Sequence, residues 1–271
     1  MIKGHNLTRL LLRCKQIGDT TTLMSKKDKN KGKLSAGKKT AVASDQDTNE
    51  IISMVAHELK NPLASIRGYT ELLVSGAVGT ITPDQEKFLR VILSNTDRMA
   101  ELLADLSDAA KLDSGKTRLN LTYVGAVPIL QNAVNALQQQ AALKPVSVEV
   151  KISEIIPEVI GDASRLNQIF LNLVSNAIKY TPSGGKVTVS AAKVDGHVVF
   201  SVQDNGLGIS TEDQKLIFSR YYRSEDVQAR DIPGTGLGLY ITRRLVEMQN
   251  GKIWFESELG KGTTFFVSVP Y

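Results

Sequence analysis

The chain has 271 residues, 42% of them hydrophobic, with a single cysteine, Cys14, and a formal net charge of +5. This length and apolar content suit two domains with ordinary packed cores, while one cysteine excludes an intrachain disulfide or a cysteine-based zinc site and suits a reducing, cytoplasmic setting. The charge is unevenly placed: residues 1–49 carry 11 Lys/Arg against 4 Asp/Glu, and residues 50–271 carry 22 against 24, so direct nucleic-acid binding across a folded face is not expected.

No apolar run approaches the ~20 residues that span a bilayer. Leu10-Leu11-Leu12 is flanked by Arg9 and Arg13, too short a stretch for a signal peptide. Residues 1–24 are expected to hold a short helix, the remnant of a larger upstream domain. Residues 25–49 are rich in Lys, Ser, Gly, Asp and Thr. Such a segment buries too little apolar surface to offset its ordering entropy, so a flexible linker is predicted. An electrostatic tether to acidic lipid or nucleic acid is the functional alternative.

From about residue 46 to 76 the pattern turns helical, with Ile52, Val55, Leu59, Leu63, Ile66 and Leu73 at three-, four- and seven-residue steps. Ser75 to Ile81 contains two glycines and breaks it. Thr82-Pro83-Asp84-Gln85 then reads as a helix start: Thr82 caps, Pro83 suits the first position and Gln85 completes a capping box. The second helix carries Phe88, Val91, Ile92, Met99, Leu102 and Leu106 and ends near Leu112. Two such helices form a hairpin. A lone hairpin leaves one apolar side wet, so a homodimer through residues 46–113 is expected, closing a four-helix bundle.

After residue 114 the texture becomes mixed. Strand signals fall at 117–123, 146–152, 186–194, 197–203, 252–257 and 263–269, and helices at 127–143, 164–180 and from Leu237. This composition predicts an α+β sandwich, helices on one face of a mixed sheet. The expected organisation is a basic segment and linker over 1–45, a helical domain over 46–114 and an α+β domain over 115–271.

The helix spacing decides how His57 reads. It lies two residues from Val55 and from Leu59, about 200° around the wheel from each, and so points away from the apolar stripe. Asn61 is one turn along on the same face, and Glu58 can reach the ring. A neutral imidazole is a competent nucleophile near pH 7, and a carboxylate accepting the proton of one ring nitrogen activates the other. An ordinary exposed histidine is the bland alternative. Pro62 removes a backbone donor inside the helix and can kink it.

Asn172 and Asn176 share a helix face. The amide oxygen of Asn176 is a reasonable ligand for Mg2+, which keeps waters and phosphate oxygens around few protein groups; plain surface polarity is the alternative. Asp204-Asn205-Gly206-Leu207-Gly208 follows an alternating strand. A turn is its simplest reading, and a carboxylate against the exocyclic amine of adenine is the functional one. Gly234-Thr235-Gly236-Leu237-Gly238 leads into a helix, exposing backbone N–H groups that suit a triphosphate. It has neither the Lys and Ser/Thr of a Walker loop nor the βαβ setting of a dinucleotide site. Phe218, Arg220 and Arg223 lie between the glycine boxes in a segment expected to act as a mobile lid, where the arginines suit phosphates and solvated loop charges are the plain alternative.

Taken in order, His57-Glu58-Leu59-Lys60-Asn61-Pro62-Leu63, Asn172 to Ala177, Asp204 to Ile209, Phe218 to Arg223 and Gly234 to Leu239 resemble the catalytic core of a sensor histidine kinase of two-component signalling. The resemblance covers residues 46–271: a dimerisation and phosphoacceptor hairpin, then an ATP-binding domain of the gyrase, chaperone, histidine kinase and mismatch-repair type. It implies that His57 is phosphorylated, that Glu58 assists as base, and that Asn61 positions water when a partner is dephosphorylated. It further implies that Asn176 holds Mg2+ and that Asn172, Lys179 and Tyr180 line the ATP site. Asp204 reads adenine, and Gly206, Gly208, Gly234, Gly236 and Gly238, with Thr235, Leu237 and Arg220, shape the pocket and lid. The implied partner is a response regulator receiver domain, whose aspartate takes the phosphoryl group.

The stretch Ser219-Arg220-Tyr221-Tyr222-Arg223 is a mild variant of the more usual Glu-Arg-Phe-Tyr-Arg. No sensor or receiver domain is recognisable, so input is expected from a separate sensor protein, or the chain is a fragment. An ATPase without self-phosphorylation conflicts with the His57 box. A non-catalytic scaffold conflicts with intact Asn176, Asp204 and the last glycines.

Overall fold

The computed structural model describes residues 36–152, 154–229 and 232–271. The short helix expected over 1–24, Cys14, and the linker expected from 25 as far as residue 35 lie outside the described residues. Helix α1 spans Ala36–Val74, so it reaches back into the segment expected to be a flexible linker. Extending an existing helix costs no new nucleation, and Ala and Lys, frequent in this stretch, are good helix formers. The helix runs on through Pro62.

Helix α2, Pro83–Asp113, starts as its sequence dictates. The Thr82 side chain accepts the Gln85 N–H at 3.2 Å, the Gln85 side chain accepts the Thr82 N–H at 2.8 Å, and Pro83 opens the first turn. The α1–α2 hairpin is tied by Arg67, which reaches Glu71 on its own helix at 3.0 Å and Asp97 on the other at 3.3 Å. Ala56, Leu63 and Thr70, spaced by seven, are buried. Leu59, Ile66 and Leu73 form a second stripe with the same spacing and are exposed, as are Phe88, Ile92 and Met99 of α2.

The remaining elements form the α/β part of the unit that spans Asp45–Tyr271. In chain order they are β1 (Thr122–Val124), α3 (Ala126–Ala136), α4 (Gln138–Leu143), β2 (Ser147–Lys151), β3 (Val159–Gly161), α5 (Ala163–Tyr180), β4 (Lys186–Val194) and β5 (His197–Asp204). A 3-10 turn at Asp213–Lys215, α6 (Glu225–Ala229), α7 (Gly238–Met248), β6 (Lys252–Glu258) and β7 (Gly262–Pro270) complete the fold. The main sheet runs β2-β4-β5-β7-β6, parallel at β2–β4 and antiparallel elsewhere. The helix expected over 127–143 breaks in two at Leu137, where φ is −100° and ψ 0°. The strand expected over 117–123 pairs only from Thr122, because its partner β3, which the sequence pattern did not reveal, offers three residues.

The core lies between the main sheet and α3, α5 and α7. Val187, Val189 and Ala191 of β4 alternate inward, as period-two strands require. Phe200 of β5 meets Phe170 of α5 with ring centroids 4.9 Å apart. Helix α5 is capped by Asp162, whose carboxylate accepts the N–H groups of Ser164 and Arg165 at 3.0 and 3.2 Å. Gln249 locks that start to the end of α7: its amide oxygen accepts the Asp162 N–H at 2.9 Å. The end of α2 is built into the same core, with Ala109 and Leu112 buried.

Candidate functional site

A cavity of about 1020 Å³ opens beside α5, the turn after β5 and the start of α7, at the upper end of the volumes typical of ligand sites. Asn172, Asn176, Lys179, Tyr180, Asp204, Gly206 and Gly208 line it, as do Gly234, Thr235, Gly236 and Gly238. These residues are separated by up to 66 positions in sequence, and the fold converges them because α5, β5 and α7 are neighbours around one core.

Asp204 is 7% exposed. Its Oδ1 accepts the N–H of Gly206 at 2.9 Å and of Thr263 at 3.2 Å. Burial raises its carboxyl above the ordinary range, against the lowering effect of those two donors. One carboxylate oxygen is thus fixed by backbone at the cavity wall. The turn that follows needs its glycine: a Cβ on Gly206 would sit 2.5 Å from the Tyr180 carbonyl oxygen.

The two asparagines of α5 form a relay to Thr242 of α7. Asn176 Nδ2 donates to Asn172 Oδ1 at 3.4 Å, and Asn172 Nδ2 donates to Thr242 Oγ1 at 2.7 Å. The Asn176 amide oxygen accepts no hydrogen bond among the described residues, which suits it to a cation at the cavity. No cluster of three His, Cys, Asp or Glu suited to a metal occurs among the described residues. A divalent ion here would rest on one amide oxygen plus ligand phosphates, as Mg2+ does. Lys179 is held below its usual range by burial, with Glu101 and Asp105 pulling the other way. Lys144 caps the end of α5 by donating to the carbonyl oxygens of Ile178, at 3.2 Å, and Lys179.

Two residues expected in the pocket lie elsewhere. Leu237 is buried in the hydrophobic core, where it anchors the glycine box while its N–H donates to Thr235 Oγ1 at 3.0 Å. Arg220 is not a cavity residue: Nη1 pairs with Asp113 Oδ2 at 2.5 Å, and the guanidinium lies over the Tyr240 ring. Arg223 does line the cavity and donates to the Ile232 carbonyl at 2.5 Å. Segment 218–223 is pinned by Tyr222, whose hydroxyl donates to Asp213 and is pushed up to about 12 by that bond. At Gly236, φ is +73° and an added Cβ would meet the Tyr221 backbone at 2.6 Å, so the last glycine box packs directly on the segment that holds Tyr221.

Sequence reasoning missed the contribution of α2. Arg98, Glu101, Leu102 and Asp105 form one cavity wall. Their i, i+3, i+4, i+7 spacing marks a common face, but periodicity does not say what such a face meets.

His57 occupies the exposed side of α1, with its side chain 76% exposed, as its helical spacing predicted. Its Nδ1 lies 3.7 Å from Glu58 Oε1. With Glu58, Leu103, Ala104 and Ser107 it lines a shallower groove of about 600 Å³ between α1 and α2. Asn61 is exposed one turn further along.

Known proteins share both parts. Residues 47–115 match the family model of the His Kinase A (phospho-acceptor) domain, and residues 161–271 that of the histidine kinase-, DNA gyrase B-, and HSP90-like ATPase. The sensor histidine kinase WalK of Bacillus subtilis is 34% identical over 84% of this chain and 37% of its own length. The circadian input-output histidine kinase CikA of Synechococcus elongatus is 30% identical over 85% of this chain and 31% of its own. The chain therefore spans about a third of the length of these curated relatives. Among solved structures, full-length ShkA in complex with AMPPNP superposes with a TM-score of 0.69 at 28% identity, covering 82% of this chain and 45% of that one. No helix among the described residues is long and apolar enough to cross a membrane. The phosphoacceptor hairpin and the ATPase domain, matched in this order, make the chain a member of the histidine kinases, and residues 47–271 their catalytic core.

Proposed function

We propose that the chain transfers the γ-phosphoryl group of ATP to His57 and then to an aspartate of a response regulator receiver domain. The observation that carries this reading is the pairing of an exposed His57, its Nδ1 beside the Glu58 carboxylate at 3.7 Å, with a nucleotide-sized cavity in the same chain. The Nε2 lone pair attacks the γ-phosphorus, the bond to the bridging oxygen breaks, and ADP leaves. The Nδ1 proton of the imidazolium so formed passes to Glu58. Such transfer depends mainly on positioning and charge neutralisation.

ATP sits with its adenine amine on Asp204 and its phosphates toward Lys179 and the N–H groups of the glycine box. The complex of ShkA with AMPPNP supports a nucleotide of this class. Asn176 would hold Mg2+, which when bound neutralises phosphate charge. The exposed stripe of Leu59, Ile66 and Leu73 supports a homodimer through the hairpin. Asn61, beside His57, orients water in a phosphatase reaction on the same receiver domain.

A chase tests the transfer step. Label on the chain should move to a purified receiver domain and should fail to move when its acceptor aspartate is replaced by asparagine. Retention of label across a panel of receivers would contradict the second step.

A further inference from the structure

The groove that holds His57 is lined by different residues from the nucleotide cavity. Three lysines stand in it: Lys60 of α1, Lys111 of α2 and Lys116 just past the end of α2. Lys116 is already matched by Glu50 at 2.5 Å. Lys60 and Lys111 are exposed and have no ion-pair partner among the described residues.

The pairs Glu50–Lys116 and Arg67–Asp97, the latter at 3.3 Å, fix the antiparallel register of the hairpin and set His57 level with Ser107. Long helical side chains lean back toward the N-terminus of their own helix. Lys60 therefore leans back toward His57, and Lys111 leans back toward Ser107, the same level on the opposite wall. Lys60 and Asn61 fall about 60° and 40° to either side of His57 on the helical wheel. Lys60 lines the groove, and Asn61 lies outside its lining. The histidine thus has a cationic flank toward α2 and an amide flank away from it.

A phosphoryl group brings about two negative charges to a neutral imidazole, and the Glu58 carboxylate stands only 3.7 Å from the ring. Like charges this close are unfavourable unless cations stand beside them. Resting on the transfer to His57 proposed above, we propose that Lys111, with Lys60, holds the phosphoryl group in the groove. Their ammonium groups take the phosphoryl oxygens once the N–P bond has formed, and so stabilise phosphohistidine against return of the group to ADP. Lys111 lies outside every sequence box and reaches the histidine because α2 folds back along α1.

The test brings the whole chain to equilibrium with γ-labelled ATP, ADP and Mg2+, at a ratio that leaves most His57 free, and counts acid-labile label. That equilibrium reports the stability of the phosphorylated form, not the rate of reaching it. Lys60→Ala/Lys111→Ala should hold about fivefold less label than the wild type, with unchanged affinity for a non-hydrolysable ATP analogue. The gap should shrink as salt is raised to about 1 M, which screens exposed charge. Lys60→Arg/Lys111→Arg should restore the wild-type level. Lys60→Gln/Lys111→Gln should match the alanine form, and stands in for it if circular dichroism shows misfolding. Lys87→Ala removes a charge from the far end of α2 and should change nothing. Wild-type label on the folded variants, or a loss shared equally by Lys87→Ala or by the arginine form, overturns the lysine pair and leaves transfer to His57 intact. Absence of label from the wild type as well overturns the transfer itself, and the lysine pair with it.

Discussion

The Asp204 carboxylate accepts the backbone N–H of Gly206 at 2.9 Å, so the residue proposed to read adenine is fixed by the turn it opens. The cost is burial of a charge. Its carboxyl is raised by desolvation. A carboxyl raised in the folded state contributes stability that is fully present below its unfolded value and lost as pH rises through the folded one.

Asp204→Asn keeps the shape and the acceptor oxygen and removes that charge. ATP affinity should fall about tenfold or more, the loss expected for a hydrogen bond to an ionised group. The apo variant should melt no lower than the wild type at pH 7, and the wild type should gain on it as pH falls through the acid range. Calorimetric titration and thermal melts at several pH values check both. Unchanged ATP affinity would remove Asp204 from adenine recognition.

Ile66 lies in the exposed stripe with Leu59 and Leu73 on α1. If this stripe is the dimer seam, Ile66→Glu places a carboxylate in an apolar core and should weaken dimerisation about tenfold or more. Sedimentation of wild type and variant over a concentration series reads this out. A wild-type monomer, or a variant dimer of equal strength, would count against the seam.

Asn61 shares the exposed face of His57. Asn61→Ala should slow dephosphorylation of a phosphorylated receiver by up to about 100-fold, as loss of a water-positioning group can, and change autophosphorylation far less. The opposite ranking in parallel time courses would reassign Asn61 to the forward reaction.

Much of this architecture was legible in the residues. Thr82, Pro83 and Gln85 marked a helix start by local chemistry alone. Strands β4 to β7 were visible because one face of each meets the core, which imposes alternation. The Asp204 and glycine boxes were visible because turns with close backbone approach tolerate few residue types. What escaped notice depends on partners distant in sequence. Strand β3 has three residues, too few for a period, and exists because β1 lies opposite. Arg220 looked like a phosphate ligand by type, and Asp113, 107 residues earlier, takes it instead. The helix α1 extends past its expected start because helix propagation needs less sequence signal than nucleation.

The central claim is that His57 carries the phosphoryl group. Incubation with γ-labelled ATP and Mg2+, then exposure to acid or alkali, tests it most directly, with His57→Gln beside the wild type. Wild-type label should survive alkali and be lost in acid, and the variant should carry no label despite unchanged ATP affinity. Acid-stable label, or equal label on His57→Gln, would contradict it.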